Sequence, residues 1–408
     1  MAAVTSGDVM RVESLLSSGV SPNVRAKRQG DDLGPPSLPA LDVAIGRGNQ
    51  QMVQVLLEHG ANPNNVSSTD IVLDPAFTPL TRAIDKGLPD IVQLLLDHGA
   101  DVNRGGTKSP LAVALARHDD RLIAMLVDNK MLDVAGALCD AALDGNLSTV
   151  QRVLARATNL NTLDATGRLP LVAAVRSGEL LIAQTLLDRG AAVDGKNRQG
   201  ETALMHARTF DIAKLLISRG ADPMAQDNKG FTALMHVVDT SAPDVTKLLL
   251  LGGPLHPQLK GEQVNQTSKL GVSAIGLAAF RGDAAILNAL LDAGADPNIG
   301  TDVGRQAPIV AAASSRNPST TLLLLNKGAR PDGRDGSGAT ALMRAAGGRG
   351  QAAVVRALLA KGADVHAVDR EGKTALDYAQ AGDPEVAALL TRAGAKSGAK
   401  PPSSNNRD

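Results

Sequence analysis

His206 and His236 stand at matched places in neighbouring stretches of the chain, each two residues beyond a Thr-Ala-Leu opening (Thr202-Ala203-Leu204 and Thr232-Ala233-Leu234). Paired imidazoles invite a metal reading. Zinc, however, needs its nitrogens about 2 Å away, and packed helices lie roughly 8–10 Å apart, so no shared metal site is expected. His59 and His98 each precede a Gly-Ala pair and read as structural or solvated. No G-x-S-x-G elbow, Lys-Ser/Thr phosphate loop or H-E-x-x-H helix occurs. Gly347-Gly348-Arg349-Gly350 falls at a turn between helices, where no strand precedes it to build a phosphate cradle. Asp119-Asp120 reads as a turn and cap. The single cysteine, Cys139, excludes an intramolecular disulfide and is expected to be a small buried apolar group. Neither catalysis nor a cofactor is expected.

The elements that carry these residues recur. Glycine-led punctuation closes nine stretches, at Gly19, Gly60, Gly99, Gly190, Gly220, Gly294, Gly328, Gly362 and Gly394, most followed by Ala and an Asp or Asn. From Gly19 to Gly394 eleven steps of about 34 residues fit, the period of a solenoid. Two degenerate units fit between Gly99 and Gly190, ending near Asn129 and Thr158, with Asn able to replace Gly at a left-handed terminus. A further one ends at Gly252-Gly253-Pro254, which makes twelve.

Each unit opens on Thr/Ser-Pro/Ala-Leu, as at Thr78, Ser109, Thr202, Thr232, Thr340 and Thr374, where the hydroxyl can cap a first helix and Pro suits its first turn. An apolar run of helical spacing follows, such as Val53 to Leu57, Val92 to Leu96 or Ile286 to Leu291. This order of helix, turn, helix and Gly-Ala-Asp-x-Asn resembles the ankyrin repeat family over roughly residues 3 to 395. The resemblance implies an all-α fold, an elongated, curved solenoid of about twelve helix-turn-helix units with a concave face of first helices and hairpin-like tips. The family opening is Thr-Pro-Leu-His, and here the fourth residue is Thr81, Ala112, Cys139, Val172, Met205, Met235, Gly276, Val310, Met343 or Asp377. The bonds between repeats that His would supply are therefore expected to be missing. The unit from Thr202 to Leu216 is short, and its inter-helix turn is expected to be cut down.

A solenoid grows by extending one core, so residues 1–395 read as one domain and 396–408 as a disordered polar tail. With 43% hydrophobic but 1% aromatic residues, the core must be Leu, Ala and Val. Forty-two basic and forty-two acidic side chains cancel, which argues against nucleic acid, and no apolar run reaches the roughly 20 residues of a membrane span. The chain reads as a soluble monomer. The first unit lacks its usual opening, so it is a trimmed cap or has lost upstream sequence such as a signal peptide. The compartment, cytoplasmic or periplasmic, stays open. The Ala-, Arg- and Leu-rich usage reads as bacterial.

Candidate contacts lie where fold maintenance makes no demand. Two residues past each opening Leu come Arg82, Val113, Asp140, Ala173, His206, His236, Leu277, Ala311, Arg344 and Tyr378, a position varied enough for each unit to read a different feature of a partner. Phe280 joins them as a scarce aromatic, and Phe280, Arg344 and Tyr378 are the expected anchors. Long connections at 24–38, 65–77 and 253–270 add Arg25, Arg28, Ile71, Leu73 and Phe77, the third reading as a spacer. The function implied is a non-catalytic scaffold for one protein partner. The alternatives are an immunity or inhibitor protein occluding a toxin or effector, a small-ligand receptor, which would need converging polar groups in an apolar pocket, and a passive spacer.

Overall fold

The computed structural model describes residues 1–25, 38–66, 77–105, 108–252, 258–299, 307–315, 317–348, 351–379 and 383–398. Among them the regular elements are twenty-three α-helices and two 3-10 turns, with isolated bridges but no strand. Two compact units divide the chain, Met1–Ala192 and Val193–Asp408. Met1–Ala192 contains six helix pairs, and Val193–Asp408 five pairs and a sixth repeat whose first helix is a 3-10 turn, so twelve repeats are present among the described residues.

In the first unit, Thr78 Oγ1 and Ser109 Oγ accept from the amides of Thr81 and Ala112, at 3.2 and 3.0 Å. These hydroxyls satisfy amides that a helix start leaves orphaned. Behind each first helix, the apolar face of the second enters the core: Val53 and Leu56 in Gln50–Glu58, Val92 and Leu95 in Pro89–Asp97. Gly60 then ends its repeat at φ 85°, a left-handed step that a Cβ would strain. The two degenerate repeats are real, as Pro110–Ala116 with Asp120–Val127, and Val134–Asp144 with Leu147–Leu154. Their termination differs from the expectation. Asn129 does not take the left-handed step, since the described non-glycine residues with positive φ are His118 and Ser241, and Asp120–Val127 closes on Asp128 at φ −81°.

In the second unit Thr232, Ser273 and Thr340 cap their first helices in the same manner. The repeat opened by Thr202 does not. Its first helix shrinks to a 3-10 turn, Ala203–His206, ahead of Phe210–Ser218. The missing residues are thus taken from the helix and not only from the inter-helix turn. Thr202 Oγ1 is left buried without a hydrogen-bond partner. The connection expected to be a spacer holds packed structure from 258 onward: Leu259 and Val264 are buried on either side of the 3-10 turn Gly261–Gln263.

At Thr81 and Asp377 the fourth residue of the opening turns inward to its own cap. Thr81 Oγ1 accepts from the Thr78 amide at 2.8 Å, and Asp377 Oδ2 from the Thr374 amide at 2.8 Å. Ties between repeats come instead from the last residue of the Gly-Ala-Asp-x-Asn signature. Asn64 accepts from the Asp101 amide and donates to the Gly99 carbonyl of the next repeat, at 2.8 and 2.9 Å. Asn23, Asn103, Asn265 and Asn298 do the same one repeat on. Met224 fills this place in its repeat, where a thioether cannot make both bonds. At the C-terminus, the Thr374 hydroxyl donates to the Lys396 carbonyl and the Gly398 amide to Asp377 Oδ2, so 396–398 pack on the last repeat, and 399–408 lie outside the described residues.

Candidate functional site

Five residues before the openings at Thr202, Thr232, Ser273, Thr340 and Thr374 stands a turn residue whose side chain organises the site. These are Asn197, Asp227, Ser268, Asp335 and Asp369, with Asp164 in the same place before Leu169. Each accepts from the amide four residues on, at 2.8 to 3.1 Å. A short polar side chain that bonds its own downstream backbone fixes a tight turn.

In the aspartates the second oxygen has another task. Asp227 Oδ2 lies 3.0 Å from His236 Nε2, Asp335 Oδ2 accepts from Arg344 Nε at 2.8 Å, and Asp369 Oδ2 accepts from the Tyr378 hydroxyl at 2.7 Å. All three partners stand nine residues later, at the varied position of the first helix. These side chains, expected to face a partner freely, are half-buried and tethered to their own repeat. In Asp335 burial alone would raise the pKa, but hydrogen bonds from Ser337 and Arg344 hold the carboxyl below its ordinary value. In Asp369 burial is likewise outweighed, by the Tyr378 hydroxyl and the Lys373 and Glu371 amides. Burial, and then Asp369, push the Tyr378 phenol upward.

Other positions divide. Val113, Asp140, Ala173 and Ala311 are buried. Arg82 pairs with buried Asp42 at 3.2 Å and lies over the Phe77 ring, 5.4 Å from its centroid. Leu277 is half-buried, whereas Phe280, at the end of Ala274–Arg281, is 59% exposed. Arg25 is exposed and bridges Pro39. Arg28, Ile71 and Leu73 lie outside the described residues.

The two histidines differ from the spacing argument. Their rings approach to 6.2 Å between centroids, because the side chains of adjacent repeats span the gap between backbones. His206 Nε2 is 3.0 Å from Glu201 Oε2, and the nearest ligand atoms of Glu201, Asp227 and His236 all lie within 4.8 Å of one another. In Glu201 burial raises the pKa, but Asn197, His206 and His236 bring it down overall. His59 and His98, by contrast, bond the carbonyls of Val55 and Leu94 at their own helix ends.

In the first unit Arg168 spans Asp140 at 2.8 Å and Asp164 at 2.6 Å beside a recess lined by Ser109, Asp133 and Gly136. Its volume is about 100 Å³, below the roughly 300–1,000 Å³ of a small-molecule site. Asp119 caps its helix through the Leu122 amide, as read from the sequence. Cys139 is fully buried, and desolvation pushes its thiol far upward, with Asp164 adding to the shift.

A family model for ankyrin repeats matches residues 1–106, 138–227, 208–301 and 309–401. The chain belongs to the ankyrin repeat family, whose repeats are in general protein–protein interaction modules and typically non-enzymatic. No curated protein matches the chain in sequence. Among the described residues no helix is long and apolar enough to cross a membrane.

Sequence reasoning missed the turn aspartates. Their signal was present, an Asp/Asn/Ser-x-x-Gly pattern at Asp164, Asn197, Asp227, Ser268, Asp335 and Asp369.

Proposed function

We propose that the chain is a non-catalytic scaffold that grips one protein partner through its first-helix faces and repeat tips. The observation that supports this is Phe280, a large aromatic left 59% exposed on a first helix in a chain with only four Phe and one Tyr. Aromatic side chains of this kind anchor interfaces. Two and three repeats further along the same unit, Arg344 and Tyr378, held by their tethers, offer polar groups with little freedom left to lose on binding. Occlusion of a toxin or effector is the same surface put to inhibitory use, and the partner's own activity separates it from an adaptor role.

The test is capture of partners from native lysate on the folded chain, with crosslinking to locate contacts. One dominant protein, crosslinked near Phe280 and weakened by Phe280→Ala, is the expected result. Capture unchanged by Phe280→Ala and Arg344→Ala together would overturn the reading.

A further inference from the structure

We infer that Glu201, His206, Asp227 and His236 form a binding site for a divalent transition-metal ion of the zinc class, clamping two adjacent repeats of the second unit.

Four side chains that commonly ligate such ions converge from two neighbouring repeats. Glu201 and His206 belong to one, Asp227 and His236 to the next. The Glu201–His206 and Asp227–His236 contacts are both 3.0 Å. That is within a few tenths of the roughly 3.4 Å edge of a tetrahedron with metal–ligand bonds of about 2.1 Å. The Glu201, Asp227 and His236 atoms lie within 4.8 Å of each other, and His206 joins this group through its contact with Glu201. Two imidazoles and two carboxylates suit zinc in both number and softness.

The surroundings hold the ligands in place. Asn197 Nδ2 donates to Glu201 Oε2 at 2.7 Å, and Asp227 Oδ1 accepts from the Lys229 and Phe231 amides, so Oδ2 points at His236. Such outer bonds orient metal ligands. The Asn228 amide donates to the Gln199 carbonyl at 2.9 Å, docking one turn against the other. All four side chains are mostly shielded, with 5% to 22% of their surface exposed, and the Phe231 ring flanks His236.

The other repeats serve as internal comparison. Four residues past the turn residue stand Arg168, Phe231, Val272, Ala339 and Lys373, and nine past it Ala173, Leu277, Arg344 and Tyr378. An acid at the first place and histidine at the second coincide only at Glu201 and His206, with His236 directly beside them. This is also the repeat whose first helix is reduced to a 3-10 turn. An ion there would brace this shortened repeat, because a ligand bound only by the folded chain stabilises it.

The experiment titrates Zn2+ into the metal-free full chain by calorimetry, beside H206Q, H236Q and E201Q, with H59Q and H98Q as controls and urea midpoints to establish folding. Expected are one-to-one binding, a melting temperature that rises with Zn2+, and a loss of at least about tenfold in affinity for H206Q and H236Q, with the controls unchanged. E201Q keeps the shape of the side chain and carries the test if a histidine variant does not fold. No one-to-one binding by the native chain, or equal binding by native, H206Q, H236Q and E201Q, would overturn the site. Equal weakening by H59Q would overturn it too.

Discussion

Arg344 reaches back nine residues to Asp335, Nε to Oδ2 at 2.8 Å, while the other oxygen of the same carboxylate accepts from the amides of Ser337 and Ala339 at 2.8 and 3.1 Å. The two oxygens carry different work, and mutations should separate them. Asp335→Ala removes both and should cost about 2–4 kcal/mol. Asp335→Asn keeps a turn acceptor, as Asn197 does in its own repeat, and should cost about 1–2 kcal/mol. Arg344→Ala should cost under about 1 kcal/mol, since that pair is a third exposed on the arginine side. Urea unfolding midpoints rank the three, and an equal loss for all would refute the division.

Thr202 and Thr340 occupy equivalent places with opposite hydrogen bonding. Thr340 Oγ1 accepts from the Met343 amide, while Thr202 Oγ1 is buried and without a partner. Thr340→Val should therefore cost about 1 kcal/mol, whereas Thr202→Val should be neutral or stabilising, because it removes a buried hydroxyl that makes no bond. Thermal melts of the two variants decide it, and a larger loss for Thr202→Val would contradict the structure.

The asparagine ties at the tips predict local loosening. Asn64→Ala deletes both bonds to the following repeat and should cost about 1–2 kcal/mol at roughly 1 kcal/mol or less for each exposed bond. Hydrogen exchange should rise around residues 99–101 and not at the Gly19 terminus. Unaltered protection there would mean that helix packing alone sets the stacking.

Acid should weaken the fold through the tethered carboxylates. Asp164, Asp335 and Asp369 all have depressed pKa values; burial opposes the shift, and it is outweighed by the Arg168 and Thr166 bonds, the Ser337 and Arg344 bonds, and the Tyr378, Lys373 and Glu371 bonds respectively. A carboxyl with a lower folded than unfolded pKa adds stability that is complete above the unfolded value, about 3.9 for Asp, and lost as pH falls through the folded one. The urea midpoint should stay level from about pH 7 to 5 and drop between about pH 4 and 2. If a D335N/D369N double variant loses as much over that range as the native chain, these groups are not the cause.

Cys139 should be inert in the native state. With its thiol buried and its pKa raised by desolvation, a thiolate-selective reagent at pH 8 should label it only in denaturant. Rapid labelling of the folded chain would show that Val134–Asp144 opens readily.

The helix pairs were legible because burial of one face repeats with the chain's own period, and that signal survives in degenerate units such as Val134–Leu154. Asn129 misled because a residue able to adopt left-handed geometry adopts it only where the next element demands it. At Thr202, counting residues located the shortened repeat but not which piece gave way, since helix and turn compete for the same few residues. Spacing also failed at His206 and His236, where backbone separation stood in for the separation of side-chain tips. The tethers were the least legible part. They join residues nine apart, and neither helical nor strand periodicity draws attention to that interval.

In Asp227, Asp335 and Asp369 one oxygen shapes the turn while its twin receives whatever the first helix presents. Folding and presentation are thereby insulated from each other. One codon at the ninth position can exchange imidazole for guanidinium or phenol and leave the loop's architecture alone. The array is a row of sockets with a common base and interchangeable fittings, and the side chains it displays can be rewritten one repeat at a time.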